Sequence, residues 1–91
     1  MSVIYQTYIP GKADIRAYIT DNRAMADLLV YTVDSIALAY GDALWYITKN
    51  SGQATSKIYF GARGQAQLVV FFVSDKGDAH WLRQHPLKNK L

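Results

Sequence analysis

The chain of 91 residues contains no cysteine and no glutamate. Without cysteine it has no disulfide and no thiolate metal site, so packing alone must stabilise the fold. The lack of cysteine also suits a reducing compartment, and we expect a cytoplasmic location. No apolar run approaches the roughly 20 residues that span a bilayer, and the amino terminus does not resemble a signal peptide. We therefore expect no membrane association.

Charge is scarce and unevenly distributed. Residues 1–45 carry three basic side chains and five aspartates, a net charge of −2. Residues 46–91 carry seven basic side chains and two aspartates, a net charge of +5, which gives the formal +3 of the whole chain. This modest excess is typical of a solvated basic surface, but it also permits an anionic partner.

What the chain does contain is an internal repeat. An aromatic residue recurs at spacings of 13, 13, 15, 13 and 13, and an alanine about eight residues after it recurs at 13, 13, 15, 12 and 13. The aromatics are Tyr5, Tyr18, Tyr31, Tyr46, Tyr59 and Phe72, and the alanines are Ala13, Ala26, Ala39, Ala54, Ala66 and Ala79. Two rows in near register indicate a repeat architecture.

The composition around each repeat aromatic favours a strand, because β-branched and aromatic residues cluster there and turn formers follow. We predict a single, mainly β domain over residues 1–82, built from about six strand-and-turn repeats of 13 residues. Short helical turns are expected at residues 22–27 and 35–40, with Asp21 and Asp34 as N-caps. The basic tail, residues 83–91, is expected to be a mobile arm.

Alternation along the predicted strands separates a core face from a mixed, half-buried face that carries the repeat aromatics. The repeat alanines are predicted where backbone passes close to backbone, and Asp14 and Asp27 are predicted to accept hydrogen bonds from turn amides. The predicted core face consists of Ile15, Ala17, Ile19, Leu28, Val30, Thr32, Ala43, Trp45, Ile47, Ile58, Phe60, Val69, Phe71 and Val73.

Several runs in register resemble a small family of uncharacterised proteins of roughly this length, the septoil knotted proteins. The runs are Tyr18 to Asp27, Gly52-Gln53-Ala54, Lys57 to Phe60, Gly64-Gln65-Ala66, and Leu68 to Trp81. The resemblance covers about residues 3–81. This sequence departs from the family's pattern at Lys49 and Ala62, where aspartate is expected. It also departs from that pattern after four of the repeat alanines, at Tyr40, Thr55, Gln67 and His80. The resemblance implies that the two halves of the chain wind about each other in a seven-crossing torus knot. It implies no activity and no catalytic residues.

The clearest binding signal is the combination of aromatic and basic side chains in the second half, which suits single-stranded nucleic acid or another polyanion. The competing interpretation is a structural aromatic row with solvated cations. The candidate contacts are Lys49, Lys57, Arg63, Lys76 and Arg83, with Lys88 and Lys90 in the tail.

Catalytic and metal signals are weak. His80 and His85 lie near Asp75 and Asp78, but their places beside a turn and in the tail do not predict a zinc site. An enzyme would need a pocket around His80 and Asp78, and no nucleophile, base and orienting group stand out. We therefore predict no metal and no cofactor, and favour a very stable, non-catalytic interaction or scaffold module. The oligomeric state stays open, with a monomer favoured.

Overall fold

The computed structural model describes all 91 residues and is mainly β, as the sequence predicts. It contains seven strands rather than six: β1 (Ser2–Gln6), β2 (Ile15–Ile19), β3 (Leu28–Val33), β4 (Leu44–Ile47), β5 (Ser56–Phe60), β6 (Leu68–Phe72) and β7 (His80–Trp81). The helical content is six 3-10 turns: Pro10–Lys12, Arg23–Met25, Ile36–Leu38, Ser51–Gln53, Arg63–Gln65 and Lys76–Asp78. Such a turn therefore forms at every joint and not at two joints only. None of the helical segments has the length and apolar character needed to cross a membrane.

Strands β1 to β6 close into a parallel barrel. Their order is β4-β1-β5-β2-β6-β3, and β3 pairs back onto β4. All six of these pairings are parallel. Closure leaves no strand edge free among the six. The short β7 adds antiparallel to the start of β3, where Leu28 faces Trp81.

The two halves of the chain alternate around this barrel. Strand β5 lies between β1 and β2, β6 lies between β2 and β3, and β4 lies between β3 and β1. No strand of the barrel pairs with a strand from its own half. This interleaving is the arrangement that the resemblance implies for two halves wound about each other.

Four of the five connections between barrel strands cross outside the barrel over the strand that they skip, whereas β3 leads directly to its neighbour β4. Residues 7–14 run from the end of β1 to the start of β2 and cross over β5. There the Asp14 amide donates to the Lys57 carbonyl, and Asp14 Oδ2 accepts from the Lys57 amide, both at 2.8 Å. Asp27 binds Val69 in the same way, at 2.7 and 3.0 Å. The two aspartates thus accept from amides of strands 43 and 42 residues away, and not from turn amides. Their role is to extend the pairing of neighbouring strands.

Four of the six residues that follow a repeat alanine accept a hydrogen bond from a strand amide through a side-chain oxygen, and that oxygen need not belong to a carboxylate. Thr55 Oγ1 accepts from the Val3 amide at 2.9 Å, and Gln67 Oε1 accepts from the Arg16 amide at 3.0 Å. In both cases the backbone amide of the same residue donates to the carbonyl of its partner, at 2.7 and 2.8 Å. This shared geometry explains why the departures at Thr55 and Gln67 leave the fold intact.

Hydroxyl and amide side chains turn the chain at the carboxyl ends of the strands. The hydroxyls of Thr7, Thr20 and Thr48 each accept from the amide two residues on, at 3.1 to 3.2 Å. The second 3-10 turn is capped by Asn22, whose Oδ1 accepts from the Ala24 amide, and not by Asp21. The third turn has Ser35 at its N-cap and no capping side chain, so the prediction for Asp34 is wrong as well.

Inward-facing side chains fill the barrel in three layers, as in larger parallel barrels. The lower layer, at the amino ends of the strands, consists of Ser2, Ile15, Leu28, Ala43, Ser56 and Leu68. The middle layer, in which every member has 0% exposure, consists of Ile4, Ala17, Val30, Trp45, Ile58 and Val70. The upper layer, at the carboxyl ends, consists of Gln6, Ile19, Thr32, Ile47, Phe60 and Phe72.

One strand differs in register from the sequence prediction. In β6 the inward residues are Leu68, Val70 and Phe72, whereas Val69, Phe71 and Val73 were assigned to the core face. Phe71 therefore takes the outer position of the repeat aromatic, beside Leu29 of β3. The cause is a joint one residue shorter between β5 and β6, which shifts every following side chain to the opposite face. The five repeat tyrosines lie half-buried on the outer face.

Candidate binding site at the carboxyl end of the barrel

The carboxyl end of the barrel is an open depression, which we call the mouth. One side chain from each of the six strands lines it, and its volume is about 370 Å³. Its residues are the upper layer: Gln6, Ile19, Thr32, Ile47, Phe60 and Phe72. Ile19 and Ile47 are 47% and 44% exposed although both face inward. The sequence places Ile19, Thr32, Ile47 and Phe60 on the inner face correctly, but it does not show that this end is uncovered.

An aromatic cluster forms the base of the mouth. The Trp45 ring of the middle layer is fully buried. Phe60 and Phe72 pack against it with ring centroids at 6.4 and 5.9 Å, and Phe72 meets it edge-on at an interplanar angle of 84°. These separations lie in the range of favourable aromatic pairs, so the two phenylalanine rings are held in place from below.

The wall of the mouth has an apolar half and a mixed half. The order of the strands places Phe60, Ile19 and Phe72 next to one another. On the other side, Gln6 and Thr32 flank Ile47. Both of these polar residues are exposed, so an amide and a hydroxyl are accessible from the mouth. The mouth therefore offers apolar surface with hydrogen-bonding groups on one side.

The opposite end of the barrel is closed by the tail. Leu91 is 5% exposed and belongs to the core cluster, and Leu87 and Trp81 pack against that cluster. The carbonyl of Leu91 accepts hydrogen bonds from Thr55 Oγ1 at 2.7 Å and from Ser56 Oγ at 3.3 Å. The expectation of a mobile arm is therefore wrong, because the tail buries apolar side chains under the lower layer.

Two aspartates hold this tail. The Asp42 carboxylate accepts from Trp81 Nε1 at 2.9 Å and from the amides of Asn89 and Leu91 at 2.5 and 3.3 Å. Asp27 lies 3.6 Å from both Arg83 Nε and His85 Nε2. Sequence reasoning missed Asp42, although it lies in the two-residue insertion that breaks the repeat. An insertion in a regular repeat is the signal that could have directed attention to it.

The structure distributes the predicted basic contacts around the barrel. Lys49, Lys57 and Lys76 line three different grooves. Arg63 lies in the fifth 3-10 turn, and Arg83 Nη2 donates to the Ala24 carbonyl at 3.1 Å. No groove contains two of the five. Lys57 does share a groove with Lys12, a cation that the sequence prediction left out.

His80 and Asp78 do not converge on a pocket. His80 Nδ1 lies 2.8 Å from the backbone carbonyl of Asp78, whereas the Asp78 carboxylate lies 3.7 Å from Arg23 Nη1. Neither residue lines any of the four grooves. The structure therefore does not contain the pocket around His80 and Asp78 that an enzyme using these residues would need.

The fold and the mouth define a small closed barrel of interleaved parallel strands, open at one end. Residues 1–82 match a family model described as the 7(1) septoil knot domain. Because the match covers most of the chain, the chain belongs to this family. The comparisons with curated proteins and with solved structures return no match.

Proposed function

We propose that this protein is a small, non-catalytic binding module that takes up apolar groups at the mouth of its barrel. The observation that carries the proposal is the difference between the two ends. The tail covers the lower layer with Leu91 and Leu87, whereas the upper layer leaves Ile19 and Ile47 almost half exposed. Large apolar side chains gathered in an uncovered concave site are a common feature of ligand and partner sites.

The location of the mouth also supports this function. In barrels and open sheets of parallel strands, binding sites lie at the carboxyl ends of the strands, where the connecting loops begin. By analogy with those folds, a binding site is expected at the carboxyl end of the barrel rather than in the outer grooves. The grooves are less suited to apolar ligands because lysines and hydroxyl groups line them.

An uncharged, apolar fluorescent dye, N-phenyl-1-naphthylamine, tests the proposal. We expect its fluorescence to rise with the wild-type protein and to be lost with the double variant Ile19→Asn/Ile47→Asn, because both changes place an amide in the mouth. The matched control is Ile9→Asn, since Ile9 is 52% exposed and lies outside the mouth. Equal dye binding by the wild type and the double variant, with both folded by circular dichroism, would rule out the mouth as the site.

A second candidate function is binding of an anionic polymer, and one groove favours it. Lys12 and Lys57 line a groove of about 280 Å³ together with Tyr5, Thr7 and Ser51. Two ammonium groups with nearby hydroxyls suit a phosphate, and Tyr5 offers a ring for stacking. Of the five cations that the sequence predicts as contacts, this groove therefore favours Lys57, with Lys12 as its partner.

Fluorescence anisotropy with single-stranded DNA and RNA at about 50 and 200 mM salt tests this second function, because contacts to phosphates weaken steeply with salt. We expect Lys12→Gln/Lys57→Gln to remove any binding, while Arg16→Gln/Arg23→Gln, at two exposed arginines outside this groove, serves as a control of equal charge change. No binding by the wild type at the lower salt would remove the polyanion hypothesis.

A further inference from the structure

We propose that the mouth binds a small, uncharged aromatic molecule that carries one hydrogen-bonding group, such as a hydroxyl or an amide. This inference rests on the proposed function and specifies its ligand. Three properties of the mouth carry it: its size, the aromatic rings at its base, and the placement of its polar groups.

The size of the mouth limits the ligand to one or two rings. A buried cavity of about 150 Å³ is enough to bind benzene. The mouth, at about 370 Å³, is larger than this and lies at the lower end of the range of small-molecule sites. A ligand of one or two rings fills it, and a larger molecule would extend into solvent.

The aromatic base favours a flat ring over an aliphatic one. Phe60 and Phe72 are half-buried, each packs on Trp45, and both line the mouth. A flat ligand ring placed between them gains edge-to-face contacts in addition to burial. Ile19, which lies between the two phenylalanines around the barrel, completes this apolar wall.

The polar groups define the rest of the ligand. Gln6 offers a donor and an acceptor, and the Thr32 hydroxyl offers the same pair, on either side of Ile47. No residue that lines the mouth is charged. A ligand with a hydroxyl or amide at one edge satisfies these groups, whereas a charged ligand would lose hydration without an opposite charge in the mouth.

The experiment uses the full chain with carbon-13 methyl labels on isoleucine, so that Ile19 and Ile47 report on the mouth. The probes are phenol, toluene, cyclohexanol and benzoate. Comparison with phenol isolates the hydroxyl group (toluene), the aromatic ring (cyclohexanol) and the charge (benzoate). We expect phenol to shift both methyl signals saturably. Cyclohexanol should bind roughly 2- to 10-fold more weakly because it lacks the aromatic contacts, and benzoate should bind more weakly than phenol.

Two variants assign the contacts. Gln6→Leu/Thr32→Val should weaken phenol roughly 2- to 10-fold through lost hydrogen bonds while leaving the binding of toluene unchanged. Gln65→Leu, an exposed glutamine in the fifth 3-10 turn, is the matched control. Cyclohexanol binding as tightly as phenol would overturn the inference of an aromatic ligand, and benzoate binding as tightly as phenol would overturn the inference of an uncharged one. If no probe shifts Ile19 or Ile47 and the dye does not bind, the proposed function fails as well.

Discussion

Asp42 attaches the tail to the barrel, and replacing it should release the tail. Its carboxylate accepts hydrogen bonds from Trp81 Nε1 and from the amides of Asn89 and Leu91. Leu91 in turn belongs to the core cluster under the lower layer. We therefore predict that Asp42→Ala lowers the free energy of unfolding and exposes the carboxyl terminus to proteases.

The size of the effect follows from these contacts. A hydrogen bond to a charged partner contributes roughly 1.5–3 kcal/mol, and Asp42 is only half-buried, so the low end applies. The two shorter bonds, to Trp81 and Asn89, then give a loss of about 3 kcal/mol. Full release of the tail would also expose Leu91, which adds about 2 kcal/mol. For a domain of this size, a loss of about 3 kcal/mol lowers the melting temperature by roughly 12 °C or more.

Urea unfolding followed by tryptophan fluorescence measures the free energy, and digestion with a carboxypeptidase measures release of the tail. Asp42→Asn should have an intermediate effect, because it keeps one acceptor oxygen. Asp21→Ala is the matched control, since Asp21 is exposed and lies outside the tail contacts. A loss below about 0.5 kcal/mol, the usual size of a surface effect, together with an undigested tail, would refute this account of Asp42.

Two further predictions concern packing and threading. A methyl group added at Gly61 would lie 2.5 Å from Tyr59 Cε2, whereas one at Gly64 meets nothing within 4 Å. In thermal melts, Gly61→Ala should therefore lower the free energy of unfolding by about 1–2 kcal/mol, and Gly64→Ala should hardly change it. Equal melting temperatures for the two variants would contradict the predicted clash. If the chain is threaded as in its family, a folded domain fused to its carboxyl terminus should slow refolding several-fold without changing unfolding, since the end must pass through a loop. Identical refolding rates in stopped-flow measurements would argue against threading.

The register of β6 shows how far a repeat in the sequence can be interpreted. Phe71 and Phe72 are adjacent and equally good repeat aromatics, and choosing Phe72 keeps the spacing at 13. The alanine row carries the better signal, because its single spacing of 12, from Ala54 to Ala66, indicates a deletion in this region. Choosing Phe71 gives the aromatic row the same spacing of 12, from Tyr59. The aromatic row and the alanine row then share one deletion, at the joint after Tyr59. At this joint Gly61 leaves space for the Tyr59 ring, which a Cβ atom would meet.

The candidate site was only partly predictable, for a physical reason. Alternation along a strand predicts that Ile19 and Ile47 face inward, because side-chain direction is a local property. Whether an inward side chain is covered depends on which segment reaches that end of the barrel. The tail contacts residues far away in sequence, such as Asp42 and Thr55, and no local pattern indicates those contacts.

The two ends of the barrel show how one repeat can serve two purposes. The same inward positions recur on all six strands, so a perfectly regular chain would leave both ends open. Two departures from regularity, the insertion that carries Asp42 and the tail after β7, act at the amino ends and close the lower layer. A third departure, the shorter joint after β5, places Phe72 in the mouth. After β1, β2 and β4, threonine turns redirect the chain at the carboxyl ends. No tail covers the upper layer there, and its Ile19 and Ile47 are almost half exposed. The interleaved closed sheet fixes the positions of the six side chains of the upper layer, and Trp45 supports two of them from below. Such preorganisation lowers the entropy that binding must overcome. A barrel closed at one end by its own chain and left open at the other is therefore the form that the proposed binding function requires.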